Sequence, residues 1–150
     1  MAQIQSYSTE HAIFKLTNQQ TKGLLLYENK IDSSYFSQLV RKYNPQNGTF
    51  NVQDLPDGNY LDVSVEKTDL VIEFFSVHNI TPFIINNETD LLLQIQDKFG
   101  ENVSDATVEL KRKTLKFDQN ISAYRLKKTN RDGFLTITYN GVENYYLLDR

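Results

Sequence analysis

The sequence contains no cysteine and no tryptophan, and its single methionine is the initiator. Without Cys the chain can form no disulfide, no zinc–thiolate site and no cysteine nucleophile. This does not place it in the cytosol, because many exported bacterial domains also lack Cys. No apolar run approaches the roughly 18–20 residues that a membrane-spanning helix needs. The start, Met1-Ala2-Gln3-Ile4-Gln5-Ser6-Tyr7, has neither a basic n-region nor an apolar h-region. Either the protein is not exported or its signal has been removed. A strong charge of one sign is also missing: 16 basic and 19 acidic residues leave a net charge of −3. That balance gives no reason to expect nucleic acid or an anionic membrane as partner.

What is present is enough apolar matter for a packed core. Hydrophobic residues make up 39% of the chain, with nine Tyr and nine Phe. Their spacing is mostly that of strands. Leu91, Leu93 and Ile95 alternate with Leu92, Gln94 and Gln96, the period of a half-buried strand. Asp97-Lys98-Phe99-Gly100 supplies turn residues, and Ala106, Val108 and Leu110 resume the alternation. This unit of strand, turn, small apolar step and strand argues for an all-β sandwich.

The rest of the chain follows the same grammar. His11–Leu16 alternates, and Gly23–Asn29 reads as a short central strand. After the N-cap candidates Asp32-Ser33-Ser34, Phe36, Leu39, Val40 and Tyr43 stand at i, i+3, i+4 and i+7. That spacing predicts one short helix at about Tyr35–Tyr43, with an edge strand as the competing reading. Asn47-Gly48 is a turn, Thr49–Gln53 a strand, and Leu55-Pro56-Asp57-Gly58-Asn59 a tight turn before Leu61, Val63 and Val65. Leu70–Val77 is apolar on both faces, which predicts an inner strand or one covered by a neighbouring domain. His78-Asn79-Ile80-Thr81-Pro82 breaks the pattern and marks a boundary, giving domains 1–79 and 80–150. In the second domain Phe83–Ile85 begins a strand. Ile121–Lys128 and Phe134–Tyr139 frame a hairpin about Asn130-Arg131-Asp132-Gly133, and Asn140-Gly141 makes a second turn before Tyr145–Leu148.

Chemistry is harder to find. His11 and His78 lie in different halves without ligand spacing and read as incidental residues. Asp54, Asp57 and Asn59 flank Gly58 but miss the spacing of a calcium loop, as does Asn130–Gly133. No glycine-rich phosphate loop and no nucleophile elbow occurs. Asp62 and Glu66 cannot be told from surface charge. Lys111, Arg112, Lys113, Lys116, Lys127 and Lys128 read as charges that keep edge strands soluble, with an anionic partner as the alternative. Tyr124, Tyr139, Tyr145 and Tyr146 suit either a core or a platform for sugar rings. Asn-x-Ser/Thr sequons at Asn47, Asn79, Asn87, Asn102 and Asn120 read as Asn-rich composition. The sequence therefore predicts no catalytic, cofactor or metal residue.

The second half resembles a macroglobulin-type β-sandwich domain of bacterial alpha-2-macroglobulin-like proteins, particularly the Asn/Lys-rich versions of Bacteroidetes. The family pattern is met by Asp97, Gly100, Val103, Ala106, Val108 and Leu110, and a later turn by Thr129–Gly133. In the first half Leu55-Pro56-Asp57-Gly58-Asn59-Tyr60 is similar to a turn of such domains, though the alternation on Leu61, Val63 and Val65 falls one residue out of phase. The resemblance implies two small immunoglobulin-like or macroglobulin-like sandwiches in tandem, with one short helix in the first. It also implies a non-catalytic scaffold fragment of a larger, exported, protease-trapping or surface-protection protein, located in the periplasm, at the cell surface or outside the cell. Its partners would be neighbouring domains of the parent chain, and a protein or protease. The family's Cys-Gln thioester cannot lie here, since there is no Cys. An adhesin-like or carbohydrate-binding sandwich is the alternative.

Overall fold

Most of the alternating stretches pair into antiparallel ladders. The computed structural model describes residues 10–47, 50–127 and 133–148, and the chain divides into two compact units, Met1–Val77 and His78–Arg150. The described residues form two antiparallel sheets and one α-helix, the all-β class that the alternation predicts.

The first unit opens with β1 (His11–Leu16) and α1 (Asn18–Leu25), continues through β2 (Leu39–Tyr43), and closes with β3 (Gly58–Glu66) and β4 (Asp69–Val77). The sheet order is β2-β1-β3-β4. Ile13 stands opposite Asp62 and Phe14 opposite Leu61, so successive residues of β1 face opposite sides. Both sides are apolar. Ile13, Tyr60 and Val77 form one cluster with Phe50, Val52 and Leu55, while Leu16, Tyr35 and Leu61 form another with Leu24, Ile31 and Phe36. The out-of-phase Tyr60 and Leu61 are therefore both core, one on each face. Each such side chain contributes roughly 1.5–3 kcal/mol by leaving water.

Four sequence expectations fail here. Gly23–Asn29 is not a strand: its first residues are the last turn of α1. The cause is a capping box at the start, where Thr17 Oγ1 accepts from the Gln20 amide at 3.1 Å and Gln20 Oε1 accepts from the Thr17 amide at 3.0 Å. The following loop folds back onto Gly23, whose carbonyl accepts from the Asn29 amide at 2.8 Å; an added Cβ would lie 2.9 Å from Asn29 Nδ2, so that side chain would have to shift. The α-helix is thus at Asn18–Leu25, not at Tyr35–Tyr43. The latter stretch is a 3₁₀ turn, Ser33–Phe36, followed by β2, as its competing reading had it. The open edge of β1 wins: His11 pairs with Tyr43 and Phe14 with Leu39, and in this edge strand Leu39 and Val40 remain 49% and 42% exposed. Finally, Val52–Asp54 is a 3₁₀ turn capped by Asn51 rather than a strand; Thr49 lies outside the described residues. β4 is an edge strand, not an inner one, and its apolar character on both faces reflects the two clusters.

The second unit contains β5 (Ile80–Asn86), β6 (Asp90–Asp97), β7 (Thr107–Leu110), β8 (Lys113–Asp118), β9 (Ala123–Lys127), β10 (Gly133–Tyr139) and β11 (Val142–Leu148). Their order is β11-β10-β7-β8-β9-β6-β5. β8 changes partner midway: Leu115 pairs with Val108 of β7, and Phe117 pairs with Tyr124 of β9. Such a strand makes the corner of a sandwich. The core confirms closure, since Leu91, Leu93 and Ile95 near one end of the order pack in one cluster with Leu135, Ile137 and Leu148 near the other. Between β6 and β7, the Asp97 carboxylate accepts from the Phe99 and Glu101 amides at 2.8 and 3.0 Å, and Gly100 takes φ +80°. Asn140-Gly141 is the turn expected, with φ of 51° and 79°. The hairpin expected of Ile121–Lys128 and Phe134–Tyr139 does not form: β9 pairs with β8 and β6, and β10 with β7 and β11, because both edges of each strand are taken by other partners of the sandwich. Residues 128–132 between them lie outside the described residues.

Candidate functional site

Two polar clusters stand out against the apolar cores, and each holds one of the two histidines. In the first unit Asp62, on β3, accepts from His11 Nδ1 at 2.8 Å and from the Tyr43 hydroxyl at 2.6 Å. The sheet register brings them together, since β1 lies between β2 and β3 and His11 is opposite Tyr43. The His11 and Tyr43 rings stack at 4.8 Å, Tyr43 meets Phe50 at 4.9 Å, and the Arg41 guanidinium lies 4.3 Å over Phe50. Burial, and then the hydrogen bond to the Asp62 carboxylate, raise the Tyr43 hydroxyl well above the usual tyrosine range.

In the second unit Asn144, 1% exposed on β11, donates to Asn79 Oδ1 at 3.1 Å and to the Ile137 carbonyl at 3.3 Å. Its own Oδ1 is therefore the acceptor facing His78 Nδ1 at 2.9 Å. Asn79 Nδ2 donates to the Tyr139 carbonyl at 2.8 Å, and the His78 and Tyr146 rings stack at 5.2 Å. Burial pushes the Tyr146 hydroxyl up to about 12. In both clusters Nδ1 of the histidine is held by an oxygen acceptor, which fixes the ring. The partners are 51 and 66 residues distant in sequence, so no local motif announces them.

Other candidates do not assemble. Tyr124 is buried in the core, Tyr139 and Tyr146 pack against it, and Tyr145 lies on the opposite face of β11, bonded to Glu143. The four tyrosines make no common platform. Asn59 lies within β3 and accepts from Ser76 Oγ at 2.6 Å, while Asp54 ends a 3₁₀ turn. Among the described residues no group of three or more His, Cys, Asp or Glu is placed to hold a metal ion. Lys111, Arg112, Lys113, Lys116 and Lys127 are exposed along β8, β9 and the β7–β8 turn. Acids share that region: Arg125 donates to Asp90 at 3.0 Å and faces Asp118 at 3.6 Å, and Lys127 stands opposite Asp90. Lys128 lies outside the described residues. Of the sequons, Asn79 is buried and committed to its hydrogen bonds, while Asn87, Asn102 and Asn120 are exposed. No described helix is long and apolar enough to cross a membrane.

No family model matches the sequence, and no curated protein matches it. The fold does have a counterpart among solved structures. The crystal structure of native alpha-2-macroglobulin from Escherichia coli spanning domains MG0-NIE-MG1 superposes with a TM-score of 0.67 at 15% sequence identity. The match covers 93% of this chain and 54% of that one. The chain therefore has the fold of the macroglobulin-type domains of a bacterial alpha-2-macroglobulin.

Proposed function

We propose that this chain is a non-catalytic structural and interaction module, a scaffold fragment of a larger exported alpha-2-macroglobulin-like protein that traps proteases or protects the cell surface. The observation that carries the reading is fold likeness over 93% of the chain to a segment of native alpha-2-macroglobulin. Its work is to present walls and contacts to neighbouring domains of the parent and to a captured protease, in the periplasm, at the cell surface or outside the cell. The polar clusters suit that role. Each ties distant strands through hydrogen bonds, and neither gathers the nucleophile, base and oxyanion donors that acyl transfer requires.

The gene beyond the Arg150 codon tests the reading. Continuation into a far longer frame with a Cys-Gly-Glu-Gln-like thioester motif supports it. A stop codon directly after Arg150 contradicts it.

A further inference from the structure

Among the described residues each sheet has two outer strands, and three of these four carry charge: Arg41 and Lys42 on β2, Asp69 and Glu73 on β4, Glu143 on β11. Charge on an edge strand discourages addition of another strand. β5, Ile-Thr-Pro-Phe-Ile-Ile-Asn, has none. Its two most exposed apolar residues, Phe83 and Ile85, are 50% and 57% exposed, where the sandwich pattern calls for polar side chains. With Leu92, Gln94 and Ile121 they line an open groove of about 370 Å³ that contains no charged side chain.

The ladder fixes which backbone groups of β5 are available. Asn87 donates to the Asp90 carbonyl at 3.0 Å, and the Ile95 carbonyl accepts from Val103, on the side of β6 away from β5. The pairs Ile85–Leu92 and Phe83–Gln94 are thus the hydrogen-bonded ones, by the alternation of an antiparallel ladder. The N–H and C=O of Ile84 point outward from the sheet edge. Pro82 lies at another outward position, where its missing N–H costs this sheet nothing. It does leave the pair that Pro82 would make with Asn86 of a second copy one hydrogen bond instead of two, so Ile84 is the one position on which a full pair of bonds can centre.

We propose that β5 is a self-association edge, on which a second copy of this chain adds its own β5 antiparallel about a two-fold axis at Ile84. In this register the two Ile84 residues exchange both backbone hydrogen bonds. Phe83 of each copy lies across from Ile85 of the other, so the apolar faces continue from one sheet into the next. The segment Phe83-Ile84-Ile85 is its own complement, as a two-fold contact demands. Uncharged strands meet without the repulsion or desolvation of charge that the other three edges would bring.

Sedimentation velocity of the 150-residue chain from low micromolar to about 0.5 mM tests this, since a contact this small is of the weak, transient kind. The expected result is a reversible monomer–dimer equilibrium. It should be abolished by Ile85→Lys and by Phe83→Lys with unchanged circular dichroism, and retained in Leu70→Lys, an equally exposed apolar control on β4. The Ile84 amide should gain hydrogen-exchange protection as concentration rises. A chain that stays monomeric throughout overturns the proposal. So does a dimer that survives both β5 substitutions, or one that leaves Ile84 exchange unchanged. Pairing of β5 only with a different strand of a longer parent chain also overturns it.

Discussion

The hydroxyl of Tyr124 is held by Val103: it donates to the Val103 carbonyl at 3.1 Å and accepts from the Ala106 amide at 3.0 Å. Tyr124, 2% exposed on β9, thereby fixes the crossing from β6 to β7 by its two ends. Val103 also donates to the Ile95 carbonyl at 2.9 Å, so the crossing is tied to both sheet and core. Tyr124→Phe keeps the ring and removes both bonds. It should lower the stability of the second unit by about 1–3 kcal/mol, because a buried N–H and C=O lose their partner. A urea titration followed by a second-unit signal checks this.

Asn144 is the hub of the His78 cluster. Replacement by Leu leaves Asn79 Oδ1 without the Asn144 donor and His78 Nδ1 with the Tyr146 hydroxyl at 3.2 Å in place of the Asn144 oxygen at 2.9 Å. The expected loss is about 2–4 kcal/mol, larger than for His78→Ala, since Asn144 is buried and serves several partners while the His78 ring is stacked near the surface. Paired denaturation curves give the order of the two.

The Arg125 guanidinium holds the Asp90 carboxylate below the usual carboxylate range. A depressed folded value means that the pair's contribution is fully present above the unfolded Asp value of about 3.9 and is lost as pH falls through the lower folded value. Arg125→Gln should move the Asp90 titration upward, toward the unfolded value, and flatten acid-induced loss of stability in that window. Carbon-detected NMR titration of the carboxyl reads it directly.

Lys67 begins the β3–β4 turn with φ 57°, in the left-handed region that side chains with a Cβ avoid. Lys67→Asn or Lys67→Gly relieves that cost. The first unit should become more stable by up to about 1 kcal/mol, visible as a higher Tm of that transition.

Strand grammar was readable wherever one local rule governed. Leu91–Leu110 is alternation plus an Asx-type turn at Asp97, and the turn lies as read. The reading failed where a local signal competed with a stronger one. Leu24-Leu25-Leu26 resembles a buried strand, yet Thr17 and Gln20 spell a capping box that was there to be seen. Phe36, Leu39, Val40 and Tyr43 have helical spacing, and only the long-range ladder to β1 overrules it. The same distance hides the polar clusters. Asp62 sits between Leu61 and Val63 as an ordinary outward residue of a half-buried strand, and only a sheet with both faces covered places it against His11 and Tyr43.

On the proposed function this chain works as a module inside a larger exported protein. An immunoblot of fractionated source cells, probed with antibody raised to residues 10–148, tests it most directly. One band several times heavier than the 17.4 kDa of this chain is expected, in the periplasmic, surface or secreted fraction. A band at 17.4 kDa confined to the cytosol would contradict it.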